Sequence, residues 1–324
     1  MKKPLIIPLI LLFALTAFSA RAQVRDTDIS LEINPAFPSP NQDVTASLSS
    51  QVLDLNKALI TWSENGQQKQ SGIGKKEFRF SSAGLGMPTT ISASIDTVDG
   101  SNFIKSATVQ PAEVDMLYEA PDAYVPPFYK GRALPASQSR IKVVAIPFLS
   151  SGPGNSSANF SYSWSQDGRN QPEGSGWGNS SYTFQNSYLD NGNTVSVQVS
   201  DIVSRSGAAG SIKINTINPK IIFYRLDPSL GTDWNQALQD GFNVSLDGES
   251  IVAAPYFFSK SDPDSPGLSY TWTLNGQKLN TPSPKNILSV KPESGTSGTA
   301  EIKLTINNLG TLFQSISKTL QVNF

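Results

Sequence analysis

Asp262 and Asp264 stand two residues apart in the stretch SDPDSPG, and a pair of loop carboxylates is a donor set for a hard cation. Ca²⁺ takes about 6–8 oxygen ligands, many of them carboxylate. The same stretch offers a second reading, a turn in which an Asp side chain accepts backbone N–H groups. No third acid lies in the local loop, which favours the turn and leaves Asp262 and Asp264 as the candidate Ca²⁺ pair. No other cofactor is implied. Five aromatic residues sit in irregular stretches: Tyr124, Phe128, Tyr129, Trp177 and Trp234. Such rings either stack on a sugar and anchor a partner, or pack a joint between domains. Trp177, in the glycine-rich EGSGWGNSS, is the leading candidate for ligand contact.

Absences narrow the chemistry further. The chain contains no His and no Cys. Nucleophilic triads built on His are therefore impossible, as are disulfides and thiolate metal sites. Carboxylates elsewhere are scattered, and no spacing sets two of them across a cleft as glycoside hydrolysis requires. The sequence reads as a non-enzyme with no catalytic residue.

The N-terminus MKKPLIIPLILLFALTAFSARAQ has a basic start, an apolar core and an Ala20-x-Ala22 cleavage pattern, so residues 1–22 read as a signal peptide. The apolar run is short for a membrane span, which needs about 20 residues. Removing it takes away Lys2, Lys3 and Arg21 and leaves 22 basic against 26 acidic side chains, a net charge of −4. A mildly acidic chain without a basic stripe disfavours nucleic acid and anionic lipid. The expectation is a secreted or cell-surface protein with no membrane span in the mature chain.

The elements that must position these residues are strands. Leu268, Tyr270 and Trp272 alternate with Ser269 and Thr271, then Asn275-Gly276 gives a tight reversal. The pattern recurs: ALITWSENG carries Trp62 and Gly66, and FSYSWSQDG carries Tyr162, Trp164 and Gly168. The Trp residues are 102 and 108 residues apart, the size of an immunoglobulin-like sandwich. Trp62, Trp164, Trp272, Tyr162 and Tyr270 are expected as core markers. The fold class is all-β, with three tandem sandwiches: 23–117, 118–223 and 224–324. VQPAEVDMLY and INPKIIFY each read as the last strand of one repeat passing into the next. After each comes an irregular segment, Glu119–Arg140 (the strap opening repeat two) and Arg225–Gly241. The second carries one expected turn of helix at Asn235–Leu238.

DPDSPGLSYTW resembles the D-P-D-…-L-x-Y-x-W signature of PKD-like and cadherin-like sandwich repeats on bacterial surface proteins. The match is strongest over Ser261–Gly276; the first two repeats keep the Trp hairpin without the Asp-Pro-Asp. The resemblance implies an extracellular spacer, adhesion or assembly module with a protein or glycan partner at the cell envelope. The alternative function is carbohydrate binding through Trp177 and the strap aromatics. A secreted hydrolase stands third.

Overall fold

A computed structural model describes residues 25–149, 157–189, 192–201 and 206–324. The signal-peptide reading falls outside these residues. The chain divides into two compact units. One takes Thr45–Phe80, Thr90–Thr108 and the chain up to Asn34; the other takes Pro35–Val44, Ser81–Thr89 and Val109–Phe324.

The first sandwich is built from β1 (Ile29–Asn34), β2 (Asp43–Ser50), β3 (Leu59–Glu64), β4 (Gln67–Ile73), β5 (Glu77–Ser81), β6 (Thr89–Asp96) and β7 (Asn102–Val109). These form two sheets, β1-β2-β5 and β4-β3-β6-β7. Alternation along β3 and β6 turns Ile60, Trp62, Ile91, Ala93 and Ile95 inward, all fully buried. Trp62 stacks on Phe78 of β5, 5.8 Å between ring centroids.

The second sandwich repeats the plan. Its strands are β8 (Glu113–Glu119), β9 (Arg140–Phe148), β10 (Phe160–Gln166), β11 (Arg169–Asn170), β12 (Gly176–Trp177), β13 (Ser181–Gln185), β14 (Gly192–Asp201) and β15 (Gly207–Asn215). The sheets are β13-β9-β8 and β11-β10-β14-β15, with β12 pairing β10. Ile141, Val143, Tyr162, Trp164, Val195 and Val197 fill the space between them.

The third contains β16 (Lys220–Asp227), β17 (Gly231–Ala237), β18 (Phe242–Asn243), β19 (Glu249–Tyr256), β20 (Leu268–Leu274), β21 (Gln277–Lys278), β22 (Ile287–Val290), β23 (Thr299–Asn308) and β24 (Ser315–Asn323). Its sheets are β17-β16-β19-β22 and β18-β24-β23-β20-β21. Phe223, Ile251, Trp272, Ile302, Leu304 and Leu320 make the core.

The Trp hairpin does the same three jobs in each copy. Asn65, Asp167 and Asn275 have φ of 49°, 50° and 47°, and the following glycines 80°, 75° and 80°. Both central residues are left-handed, as a type I′ turn demands. The turn side chain then accepts a backbone N–H from a neighbouring strand: Asn65 from Thr90 (2.9 Å), Asp167 from Thr194 (2.7 Å) and Asn275 from Glu301 (2.8 Å). The indole N–H donates to a carbonyl on the chain entering the opposite sheet: Trp62 to Lys75 (2.8 Å), Trp164 to Asn179 (2.9 Å) and Trp272 to Lys285 (2.9 Å). Each Trp thus satisfies its own buried donor and fixes the crossover between sheets.

Strand pairing departs from the sequence-based boundaries at Leu117 and Phe223. β8 pairs β9 along Glu113–Glu119, and β16 pairs β19 along Lys220–Leu226. Both handover phrases therefore open a sandwich instead of closing the one before. A closing and an opening strand alternate alike, so periodicity does not tell them apart. The expected helical turn at Asn235–Leu238 is also absent, because Gly231–Ala237 pairs with β16 as a strand. Trp234 on that strand packs against Tyr224, which outweighs local helix propensity.

Candidate functional site

β19 explains where the strap goes. Its sequence ESIVAAPY is buried on both faces from Ile251 onward. Ile251 and Ala253 point into the third core, while Val252, Ala254 and Tyr256 point the other way. A strand covered on both sides reads as an uninterrupted apolar run. The cover is the strap, which lays Tyr124, Val125 and Leu134 on the outward face beside Tyr224, Tyr256 and Phe257. Backbone bonds seal it: Tyr124 N–H donates to Phe258 O and Phe257 N–H to Tyr124 O, both 2.8 Å.

At its far end the strap joins two sandwiches. Ser139 Oγ lies 2.7 Å from Ser259 Oγ in a buried pair. Gln314 Nε2 donates to Ser137 O (2.6 Å) and Ser259 Oγ (2.7 Å), and Gln314 Oε1 accepts from Ser259 N–H and Asn308 Nδ2, each at 2.9 Å. From the second sandwich, Asn186 donates through Nδ2 to Ala136 O (3.1 Å) and through its backbone N–H to Ser139 O (3.1 Å). Tyr188 and Phe313 stack across the same joint at 5.2 Å. Polar groups this deeply buried are costly unless paired, so bonds drawn from three segments favour one arrangement, although Asn186 Oδ1 and Ser137 Oγ are buried there without a partner.

The aromatic candidates separate. Tyr124 is buried; Tyr129 packs edge-on against Tyr256 (5.8 Å) and Phe257 (6.1 Å); Trp234 lies 5.0 Å from Tyr224. These three gather on the third sandwich as part of the joint. Phe128 stands apart, 90% exposed, and Trp177 is 54% exposed on the second sandwich. Sequence spacing placed Tyr124, Phe128 and Tyr129 in one stretch; the turn at Phe128, with φ of 63°, points them differently. The joint residues Ser139, Asn186, Ser259 and Gln314 carry no sequence signal, since isolated small polar residues occur on every surface.

Among the core markers, Trp62, Trp164, Trp272 and Tyr162 are fully buried, and Tyr270 is half-buried. Tyr270 donates its hydroxyl to Pro263 O at 2.8 Å, closing the Asp-Pro-Asp turn. Burial, and then the neighbouring Asp264, push its hydroxyl well above the ordinary tyrosine range. Asp262 Oδ1 accepts the Asp264 backbone N–H at 2.9 Å, which is the turn geometry and occupies one oxygen a cation would need. Among the described residues no three acidic side chains converge on a metal position. We expect millimolar Ca²⁺ to leave the melting temperature unchanged; a rise that Asp262→Asn abolishes would establish the cation site instead.

Burial also pushes Tyr124 up to about 12, with the neighbouring Tyr224 adding to the shift. Its folded value exceeds the ordinary 10.0, so between the two the folded state holds a proton that the unfolded state has lost. Stability is thus full below about pH 10 and declines as pH rises toward about 12. Melting temperatures across that window should fall in the wild type and fall less in Tyr124→Phe. Equal losses would detach the alkaline transition from this residue.

No helix among the described residues is long and apolar enough to cross a membrane, which says nothing of crossing by strands. No family model and no curated protein matches the chain. Solved structures do. The fibronectin(III)-like modules of Clostridium thermocellum CbhA are 14% identical, with 58% of this chain and 94% of that chain covered and a TM-score of 0.29. Three N-terminal domains of the bacteriophage RB49 Highly Immunogenic Outer Capsid protein are 14% identical, covering 91% and 97%, at 0.26. A 1.5-MDa bacterial ice-binding adhesin is 13% identical, covering 91% and 96%, at 0.24. These likenesses are too distant to argue function. The chain's own sheets make it an all-β protein of tandem immunoglobulin-like β-sandwiches.

Proposed function

We propose that the chain is a non-catalytic, exported structural protein, acting as a stiff spacer, adhesin or assembly component at the cell envelope. A protein or glycan there is its partner. The observation that supports this reading is the strap joint. Tandem domains joined by a linker hinge by default unless the interface is large and apolar. Here an aromatic layer and a buried polar network hold the second and third sandwiches in register, as a spacer that sets distance requires. An enzyme would instead need convergent polar groups in a cleft.

The absence of native Cys makes the test direct. Single cysteines at Lys213 and Thr319, on the outward faces of the two sandwiches, accept a donor–acceptor dye pair. A narrow distance distribution, broadened by Ser139→Ala, is the expected result. A broad wild-type distribution would remove the spacer reading, and turnover of a polysaccharide or peptide substrate would remove the non-catalytic one.

A further inference from the structure

The second sandwich carries a face with unusual chemistry. Residues opposite one another across antiparallel strands share a face, so the register can be read as rows. Trp177, Ser161, Ser200 and Gly207 form the first row. Ser163, Gln198 and Ala209 form the second. Asn170, Ser165, Ser196 and Ser211 form the third. The intervening residues Tyr162, Trp164, Val197 and Val199 are buried, so these rows point away from the core. No side chain in the three rows is charged. The fold does not demand this, because on the equivalent face of the third sandwich Lys303 stands opposite Thr273.

An aromatic ring closes each end of the first row. Trp177 is 54% exposed, yet its loop is anchored: Ser175 Oγ accepts the Trp164 N–H at 2.9 Å and Gly178 N–H donates to Phe160 O at 2.8 Å. At the other end Phe37, from the segment Pro35–Val44, lies over Gly207. A Cβ on Gly207 would collide with that ring, so glycine there makes room for it. With strands about 4.8 Å apart, the two rings are separated by roughly 14 Å of hydroxyl- and amide-bearing sheet. Pro35, Phe37 and Gln42 wall a groove along this face, with Ser163, Ser196 and Gln198 on its floor, and its volume is ≈ 410 Å³.

We propose that this face, the groove together with the first row that runs beyond it to Trp177, binds a linear, uncharged oligosaccharide. Sugar hydroxyls are both donors and acceptors, as are the serine hydroxyls and the Asn170 and Gln198 amides. The apolar faces of sugar rings fit aromatic platforms, and Trp177 and Phe37 supply two. The missing charge selects against acidic glycans and nucleic acid. A protein partner would call for an apolar or aromatic centre, whereas the middle of this face is Ser163 and Gln198. The fixed rings and paired strands leave little to order on binding. The proposal concerns a different surface from the strap and stands whether or not the joint is stiff.

The test is calorimetric titration of the full chain with cellohexaose, xylohexaose, mannohexaose and maltohexaose, and with hexagalacturonate as the acidic counterpart. At least one neutral hexasaccharide binds, with a change in Trp fluorescence, and hexagalacturonate does not. Trp177→Ala and Gln198→Arg each weaken binding by about tenfold or more. Both side chains are exposed, so melting temperatures stay at the wild-type value. The proposal is overturned if none of the four neutral sugars binds, if the acidic one binds as well, or if neither variant weakens binding.

Discussion

Trp272→Ala is expected to unfold the third sandwich or bring it to the edge of unfolding. The side chain is fully buried, packs on Phe223 at 5.8 Å and touches strands of both sheets. Truncation removes the largest residue of the core and leaves a cavity, for which Trp→Ala costs about 3–5 kcal/mol. It also leaves the Lys285 carbonyl without the indole donor that holds it at 2.9 Å. A domain of this size holds about 5–15 kcal/mol in total, so one substitution consumes a large share. Each kcal/mol shifts the melting temperature of a domain near 100 residues by roughly 4–8 °C. Near-ultraviolet circular dichroism and calorimetry should therefore show a drop of more than about 12 °C or loss of the transition. Trp272→Phe keeps most of the volume and loses the bond, and should fall between. A variant melting like the wild type would show that the repeated Trp is not the keystone of its sandwich.

Much of this architecture could be read from the chain, and the reason is physical. Period-two alternation at Trp272 and its two counterparts is a direct record of one buried face, and Asn-Gly or Asp-Gly directly encodes the left-handed turn that reverses the strand. Those features are local. The strap's role is not local. Nothing near Tyr124 in sequence reveals that its ring will lie beside Tyr224 and Tyr256, about one hundred residues on. One clue was present: SIVAAPYFF is apolar without alternation, and such a strand needs cover on both faces, whereas the equally apolar IKVVAIPF buries only Ile141, Val143 and Ala145 and leaves Ile146 and Phe148 exposed. The clue gives the need for a cover but not which segment supplies it. The serine face was equally hidden, because only the register places Ser161, Ser200 and Trp177 in one row. The boundaries slipped for the same reason, since pairing is a long-range property.

Gln314→Leu is expected to uncouple the second and third sandwiches. Gln314 is 1% exposed and makes four hydrogen bonds to three segments. Leucine fills similar space but makes none of them. The Ser137 carbonyl, the Ser259 N–H and the Asn308 amide then lose a buried partner, while Ser259 Oγ keeps Ser139. Each orphaned buried group costs about 1–3 kcal/mol, so three of them sum to at most roughly 3–9 kcal/mol. The losses share partners and will not add simply. In the wild type, the joint should make both sandwiches unfold in one calorimetric transition. In the variant that transition should split into two, with the third sandwich melting first, and proteolysis should begin in the strap between Glu119 and Arg140. Ser139→Ala guards against simple misfolding. It removes the contact with Ser259 and the bond from Ala136 N–H but touches neither sandwich core. It should give the same splitting at smaller cost, about 1–3 kcal/mol. If both variants unfold in a single transition with the strap still protected, the polar network is not what couples the domains. The aromatic layer around Tyr124, Tyr224 and Tyr256 would then carry the joint alone.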